Sequence, residues 1–233
     1  MQELLAYAQG PIFRLCFIIM VLGFLQHIAF AVWGIIQMIY RARDRDNAYG
    51  KMILRVVSWM FPIHRLHRNL PLNSYSSFVF HMGLILVPLF LLDHINLWRA
   101  GIGFGWPALS KPIADIITLT ALASGTVLLG LRIFTRTTRQ ISGFMDYFLL
   151  VLLLLIFSTG YIASRPYNPV PYATTMFCHA IAGNILMILA PFSKITHCIL
   201  YPFVRVTSEL AWKFPPEAGR DVEIQVHGEV KPI

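Results

Sequence analysis

YATTMFCHAIAGNILMILAPFSKITHCILYPFV, from Tyr172 to Val204, is the stretch whose reading decides the fold. It is long and apolar, and Lys194 is its single charged residue. His179 and His197 lie 18 residues apart. On a helix that interval is about five whole turns and about 27 Å of rise. A continuous helix sets both imidazoles on one face, one towards each edge of a hydrocarbon layer about 30 Å thick. Such an arrangement suits two metal centres stacked across a membrane.

The rest of the chain has the composition of a membrane protein. Of 233 residues, 57% are hydrophobic and 13% charged, with a mean hydropathy of +0.64. Soluble domains carry about 25% charged residues. The length allows four to six spans rather than a separate water-soluble domain. The formal charge of +8 is concentrated in short loops between apolar runs. It therefore reads as topology signals and anionic-lipid contacts, not as a nucleic-acid surface. Cys16, Cys178 and Cys198 fall in apolar runs without C-x-x-C spacing. This gives no support for a disulfide framework, an iron–sulfur site or a covalently attached haem. The first apolar run is too long for a signal-peptide core and no small-residue cleavage pattern follows it, so it is expected to be retained as a span.

Five spans are expected, at about 12–39, 76–98, 113–134, 144–163 and 172–204, forming an all-α integral membrane five-helix bundle over residues 1–208. Met52 to Phe61 is apolar but short and flanked by arginines, which predicts an interfacial helix over about 52–61, ended near Pro62. Residues 209–233 form a polar tail. The loop after span one holds seven Lys and Arg residues and the loop around Arg136 holds three. The connections at Arg99 to Lys111 and around Arg165 hold two and one. The positive-inside rule then places the amino terminus outside and the tail in the cytoplasm. GIGFG at Gly101 to Gly105 opens no βαβ unit and reads as a loop.

Ionisable residues within spans default to a functional role. Besides His27, the spans hold His81, His94, His179 and His197. The expected topology puts His81 and His197 towards the inner side, and His94 and His179 towards the outer side. Two axial pairs at two depths result. Two neutral imidazoles can ligate a haem iron from above and below while the porphyrin supplies the equatorial nitrogens. The flanking Phe80, Gly83, Phe177, Ala180, Ala182 and Gly183 could admit the macrocycle. The bland alternative is that these histidines hydrogen-bond between helices. His81 and His94 are 13 residues apart, so on a straight helix they point about 140° apart. Pro88 between them can bend the helix and alter that facing. Asp93 reads as a partner of His94 or a solvated interfacial carboxylate. His27 could serve a quinone or a haem propionate, or be satisfied by a backbone carbonyl. His64 and His67 read as lipid-facing or partner-facing.

FHMG at Phe80 to Gly83, His94 late in the same span, and His179 with His197 followed by YPF resemble the gamma subunit of respiratory nitrate reductases. PFSKITH at Pro191 to His197 is similar to the related membrane cytochromes of heterodisulfide-reductase-like and dissimilatory-sulfite-reductase-linked complexes. The resemblance implies a diheme cytochrome b that exchanges electrons with quinones in a prokaryotic cytoplasmic (inner) membrane. It implies two noncovalent haem b groups, with His81 and His197 on the inner iron and His94 and His179 on the outer iron. It implies menaquinone or another quinone near the outer haem, with Lys111, His94 and Asp93 as site candidates. It also implies a cytoplasmic iron–sulfur electron-transfer subunit as partner, with room for further catalytic or periplasmic subunits. Quinol oxidoreductase activity then belongs to the assembled complex, and no catalytic residue is expected in this chain. The span-two interval departs from the nitrate reductase pattern and favours the sulfur-linked branch. Two rivals are a haem-free proton- or ion-translocating subunit and a structural membrane anchor. The first lacks paired internal repeats and interrupted spans in the sequence.

Overall fold

The computed structural model describes residues 1–42, 49–60, 71–211, 224 and 228. Among these the regular structure is helical throughout, without strands. The chain opens with α1 (Gln2–Tyr7), a π-helical turn at Ala8–Ile12 that contains Pro11, and α2 (Phe13–Ala42). There follow α3 (Tyr49–Met60), α4 (Pro71–Phe90), α5 (Leu92–Ile102), α6 (Lys111–Phe134), α7 (Arg136–Gln140) and α8 (Phe144–Ala163). The chain continues through α9 (Tyr172–Leu189), two 3₁₀ turns at Ala190–Phe192 and Lys194–Thr196, and α10 (His197–Ala211).

Five helical stretches are long and apolar enough to cross a membrane: Gln2–Tyr40, Pro71–Phe90, Lys111–Phe134, Phe144–Ala163 and Tyr172–Phe192. By length and composition this is a multi-pass membrane protein. The third and fourth stretches lie where the hydropathy puts them. The other three differ from expectation, each beside a proline. Pro11 does not delay the start of the first stretch, because the π-turn absorbs a residue without an N–H and the helix runs on. The second segment is not one helix over 76–98. Leu91 takes an extended conformation (φ −73°, ψ 130°), three residues after Pro88, and α5 starts afresh.

The fifth segment is the larger correction. Tyr172 to Val204 is not a continuous helix, so the five-turn argument for a shared face of His179 and His197 does not hold. Pro191 has no N–H to extend α9, and Ser193 is extended (φ −131°, ψ −174°). The Ser193 hydroxyl then accepts from the Ile195 N–H and starts the next turn. Helix α10 continues through Glu209 to Ala211, so the polar tail does not begin at 209. The remainder of the tail apart from Ile224 and Gly228 lies outside the described residues, as do Pro62, His64, His67 and His227. Helix α3 (Tyr49–Met60) covers most of the stretch 52–61 for which an interfacial helix is expected.

The residues group into two compact units. The first comprises Met1–Phe17 and His64–Met187. Its core is Phe80 and Val87 of α4, Ala121 and Leu128 of α6, and Leu150 and Phe157 of α8. Lipid supplies no hydrophobic force between spans, so close approach over small residues holds them. A Cβ on Gly83 would lie 2.5 Å from that of Ala121, and one on Gly125 would lie 2.7 Å from the Phe80 ring. Phe80 and Gly83 are thus occupied by helix packing, against the expectation that they admit a macrocycle. Thr118 and Ser124 are buried and donate back to the Ala114 and Thr120 carbonyls (both 2.7 Å), which satisfies them within their own helix.

The second unit comprises Ile18–Ile63 and Ile188–Ile233. In it α3 and α10 meet: Val56 and Leu210 are buried, and Arg55 pairs with Glu209 at 3.0 Å. Gly125→Leu should destabilise the first unit by about 1–3 kcal/mol through overpacking against Phe80 and Leu154. Thermal unfolding in detergent reads this, and an unchanged midpoint would refute the assigned interface.

Candidate functional site

The first unit brings His94 and His179 together. Their ring centres are 6.2 Å apart and their planes differ by 9°. Helix α9 carries His179 and α5 carries His94, placed three residues past the Leu91 break. Two metal–imidazole bonds of about 2 Å plus two ring radii of about 1 Å separate trans imidazole centres by about 6 Å. The observed centre-to-centre spacing is close to that of two imidazoles held by one metal ion.

The surroundings of His179 define its tautomer. Its Nδ1–H donates to the Ile156 carbonyl of α8 at 2.9 Å, with the Thr159 hydroxyl 3.4 Å away. That leaves Nε2 as the basic nitrogen, the usual arrangement for a ligating histidine held by a backbone acceptor. Gly160 makes the approach possible. A Cβ there would sit 2.8 Å from His179 Cε1 and 3.1 Å from Nδ1. His94 is more enclosed, and its Nδ1 is buried with no hydrogen bond of ordinary geometry. The carbonyls of Val87 and Pro88, at the end of α4, face it.

The other two sequence-selected histidines are not brought together within one unit. His81 belongs to the first and His197 to the second. Both are exposed, and each turns Nδ1–H to a carbonyl of its own segment: Ser77 for His81 (2.6 Å) and Lys194 for His197. The local arrangement repeats that of His179, since in each the Nδ1–H is given to a backbone carbonyl. His27 donates Nε2–H to the Pro191 carbonyl at 2.8 Å, which is the carbonyl-satisfied alternative stated above.

Lys111 lies in a cluster the sequence did not reveal. Its ammonium donates to Asp115 and to the Ser164 hydroxyl (3.2 Å). Arg165 pairs with the same carboxylate at 2.6 Å and lies over the Tyr161 ring, 4.1 Å from its centre. Asp93 is exposed in the first turn of α5. Gly160, Ile156 and Asp115 were missed. The signal for the first was STG at Ser158 to Gly160, small residues late in an otherwise Leu-rich span. The carbonyl of Ile156 has no signal in its side chain.

Among the described residues, no three His, Cys, Asp or Glu side chains gather to hold a bare metal ion. A pair of imidazoles is instead one donor set that a porphyrin iron accepts, since the macrocycle supplies four donors itself.

No family model matches the chain, and no solved structure matches it. A curated protein from Nitratidesulfovibrio vulgaris (strain Hildenborough), whose name is given only as "Protein", is 28% identical over 202 residues. The match covers 84% of this chain and 88% of that protein. It is similar over nearly its whole length, and its name carries no activity.

Gly160→Val should drive the His179 ring from its seat and break the bond to Ile156. Imidazole acylation followed by peptide mass mapping should show His179 reacting several-fold faster than in the parent. Equal rates would mean that Gly160 does not make this space.

Proposed function

We propose that this chain is a membrane cytochrome b subunit that carries electrons between the quinone pool and a cytoplasmic iron–sulfur partner. The observation that carries the reading is the near-parallel His94–His179 pair at 6.2 Å, with the His179 Nδ1–H anchored on Ile156. The donor set fits haem b, which when bound supplies reversible one-electron chemistry tuned by axial ligands and burial. His94 and His179 would hold one haem through their imidazole nitrogens. His81 and His197 are assigned to a second centre on the resemblance, and each has the same Nδ1–carbonyl anchoring.

The protein's own contribution at the first centre is orientation. Ile156 fixes the His179 tautomer, Gly160 fixes its distance from α8, and the Leu91 break fixes where α5 presents His94. Lys111 is the candidate for the quinone. An ammonium has three donors, and Asp115 and Ser164 take two of them. The third can donate to a quinone carbonyl oxygen. Loop charge supports an outside amino terminus, and hence a cytoplasmic docking side formed near α3 and α10. The membrane would be the prokaryotic cytoplasmic membrane.

One observation favours a second reading. The interruptions at Leu91 and at 190–196 remove the objection that a haem-free ion-translocating subunit would need broken helices. Visible spectroscopy separates the two. The purified chain, made with haem available, should show reduced b-type bands and two noncovalent haems. A colourless preparation sinks the cytochrome reading. His179→Ala and His197→Ala should each remove a different centre, and loss of neither refutes the ligand assignment. Lys111→Ala should weaken inhibition by a quinone analogue about tenfold, the effect of losing ~1.5 kcal/mol of charged hydrogen bonding. Unaltered inhibition would move the quinone elsewhere.

A further inference from the structure

The interruption that follows α9 is held by a specific face of the first apolar helix, and all the groups involved lie in the second unit. Pro191 is fully buried. Gly23 of α2 gives it space: a Cβ on Gly23 would lie 2.6 Å from Pro191 Cβ and 2.8 Å from its Cγ. One turn along the same face, His27 Nε2–H donates to the Pro191 carbonyl at 2.8 Å. A broken helix in an apolar setting leaves carbonyls that must find donors. Within the break the Thr196 hydroxyl lies near three of them: Ala190 and Pro191 at 3.0 Å and Ser193 at 2.6 Å. One hydroxyl has one proton, so it serves those acceptors in turn. The dedicated donor for Pro191 is His27.

What this backbone positions is His197. Its Nδ1–H is given to the Lys194 carbonyl, which belongs to the second 3₁₀ turn of the same break. The direction of the His197 ring therefore follows the path of residues 190–196. We propose that Gly23 and His27 form a clasp on Pro191 that aims the His197 imidazole, making His27 a positioning residue. It acts through the backbone and does not ligate. The role at a haem centre rests on the cytochrome reading above; the clasp itself does not.

The test compares His27→Leu, which cannot donate, with His27→Gln, which can, and with Gly23→Ala, which pushes on Pro191 while keeping His27. Amide exchange in detergent reads the clasp without haem. Exchange across residues 190–197 should rise about tenfold in His27→Leu and Gly23→Ala and stay near the parent in His27→Gln. In haem-loaded protein, the centre abolished by His197→Ala should lose occupancy about tenfold on dilution in His27→Leu, with the His179 centre unaffected. Unchanged exchange overturns the clasp. Raised exchange with equal loss at both centres, or at neither, overturns the aiming of His197. A chain that takes up no haem overturns the proposed function, and the clasp is then judged on exchange alone.

Discussion

A backbone carbonyl in hydrocarbon must have a donor, and the departures from regular helix here are organised by that constraint. The interruptions at Pro11, after Pro88 and at Pro191 each have a carbonyl taken by a side chain from elsewhere in the same unit. At the Pro11 π-turn, the Ala8 carbonyl accepts from Asn184 Nδ2 at 2.9 Å. Just after Pro88, the Leu89 carbonyl accepts from Trp106 Nε1 at 2.7 Å, and that of Phe90 accepts from the Leu109 N–H at 2.9 Å. At Pro191 the donor is His27. Three different donor types do the same task, so what the three sites share is the unsatisfied acceptor, not any residue motif.

The same device recurs at the candidate site with its roles exchanged. The Ile156 carbonyl already lies 3.1 Å from the Thr159 hydroxyl, and it also accepts the His179 Nδ1–H. Here the acceptor defines the state of the side chain. A donated Nδ1–H fixes which imidazole nitrogen keeps its lone pair, and Gly160 fixes how close the ring lies to α8. Helix packing through Gly83, Ala121 and Gly125 holds α4, α6 and α8 close together, while separate glycines in α8 and α2 set the positions of His179 and Pro191.

Hydropathy made five crossing segments legible, with the third and fourth located closely. It did so because span length answers to bilayer thickness and to little else. Helical phase was less legible. The 18-residue interval of His179 and His197 was read as one face of one helix, yet Pro191 and Ser193 carried the contrary signal in plain view: a missing N–H followed by a residue able to cap. Between His81 and His94, Pro88 signals a bend, but the break comes at Leu91, because a helix can run on past a proline before its chain direction changes. His27 was legible only as a pair of alternatives, since a carbonyl partner 164 positions away leaves no pattern in sequence. Asp115 is not legible in sequence, because a lone carboxylate near a span end has the pattern of an interfacial residue and its cation Arg165 lies 50 positions away.

That carboxylate has a consequence for the electrostatics of the bundle. Asp115 lies near the start of α6, where the helix presents its positive dipole end, and it is flanked by the Lys111 ammonium and the Arg165 guanidinium. Two cations and a positive helix end converge on a single anion. Either cation could be lost and leave an ion pair, whereas among the described residues Asp115 is the one carboxylate paired with them. The site is thus unequal in its tolerance: it already carries an excess of positive charge, and neutralising its one negative charge leaves both cations uncompensated.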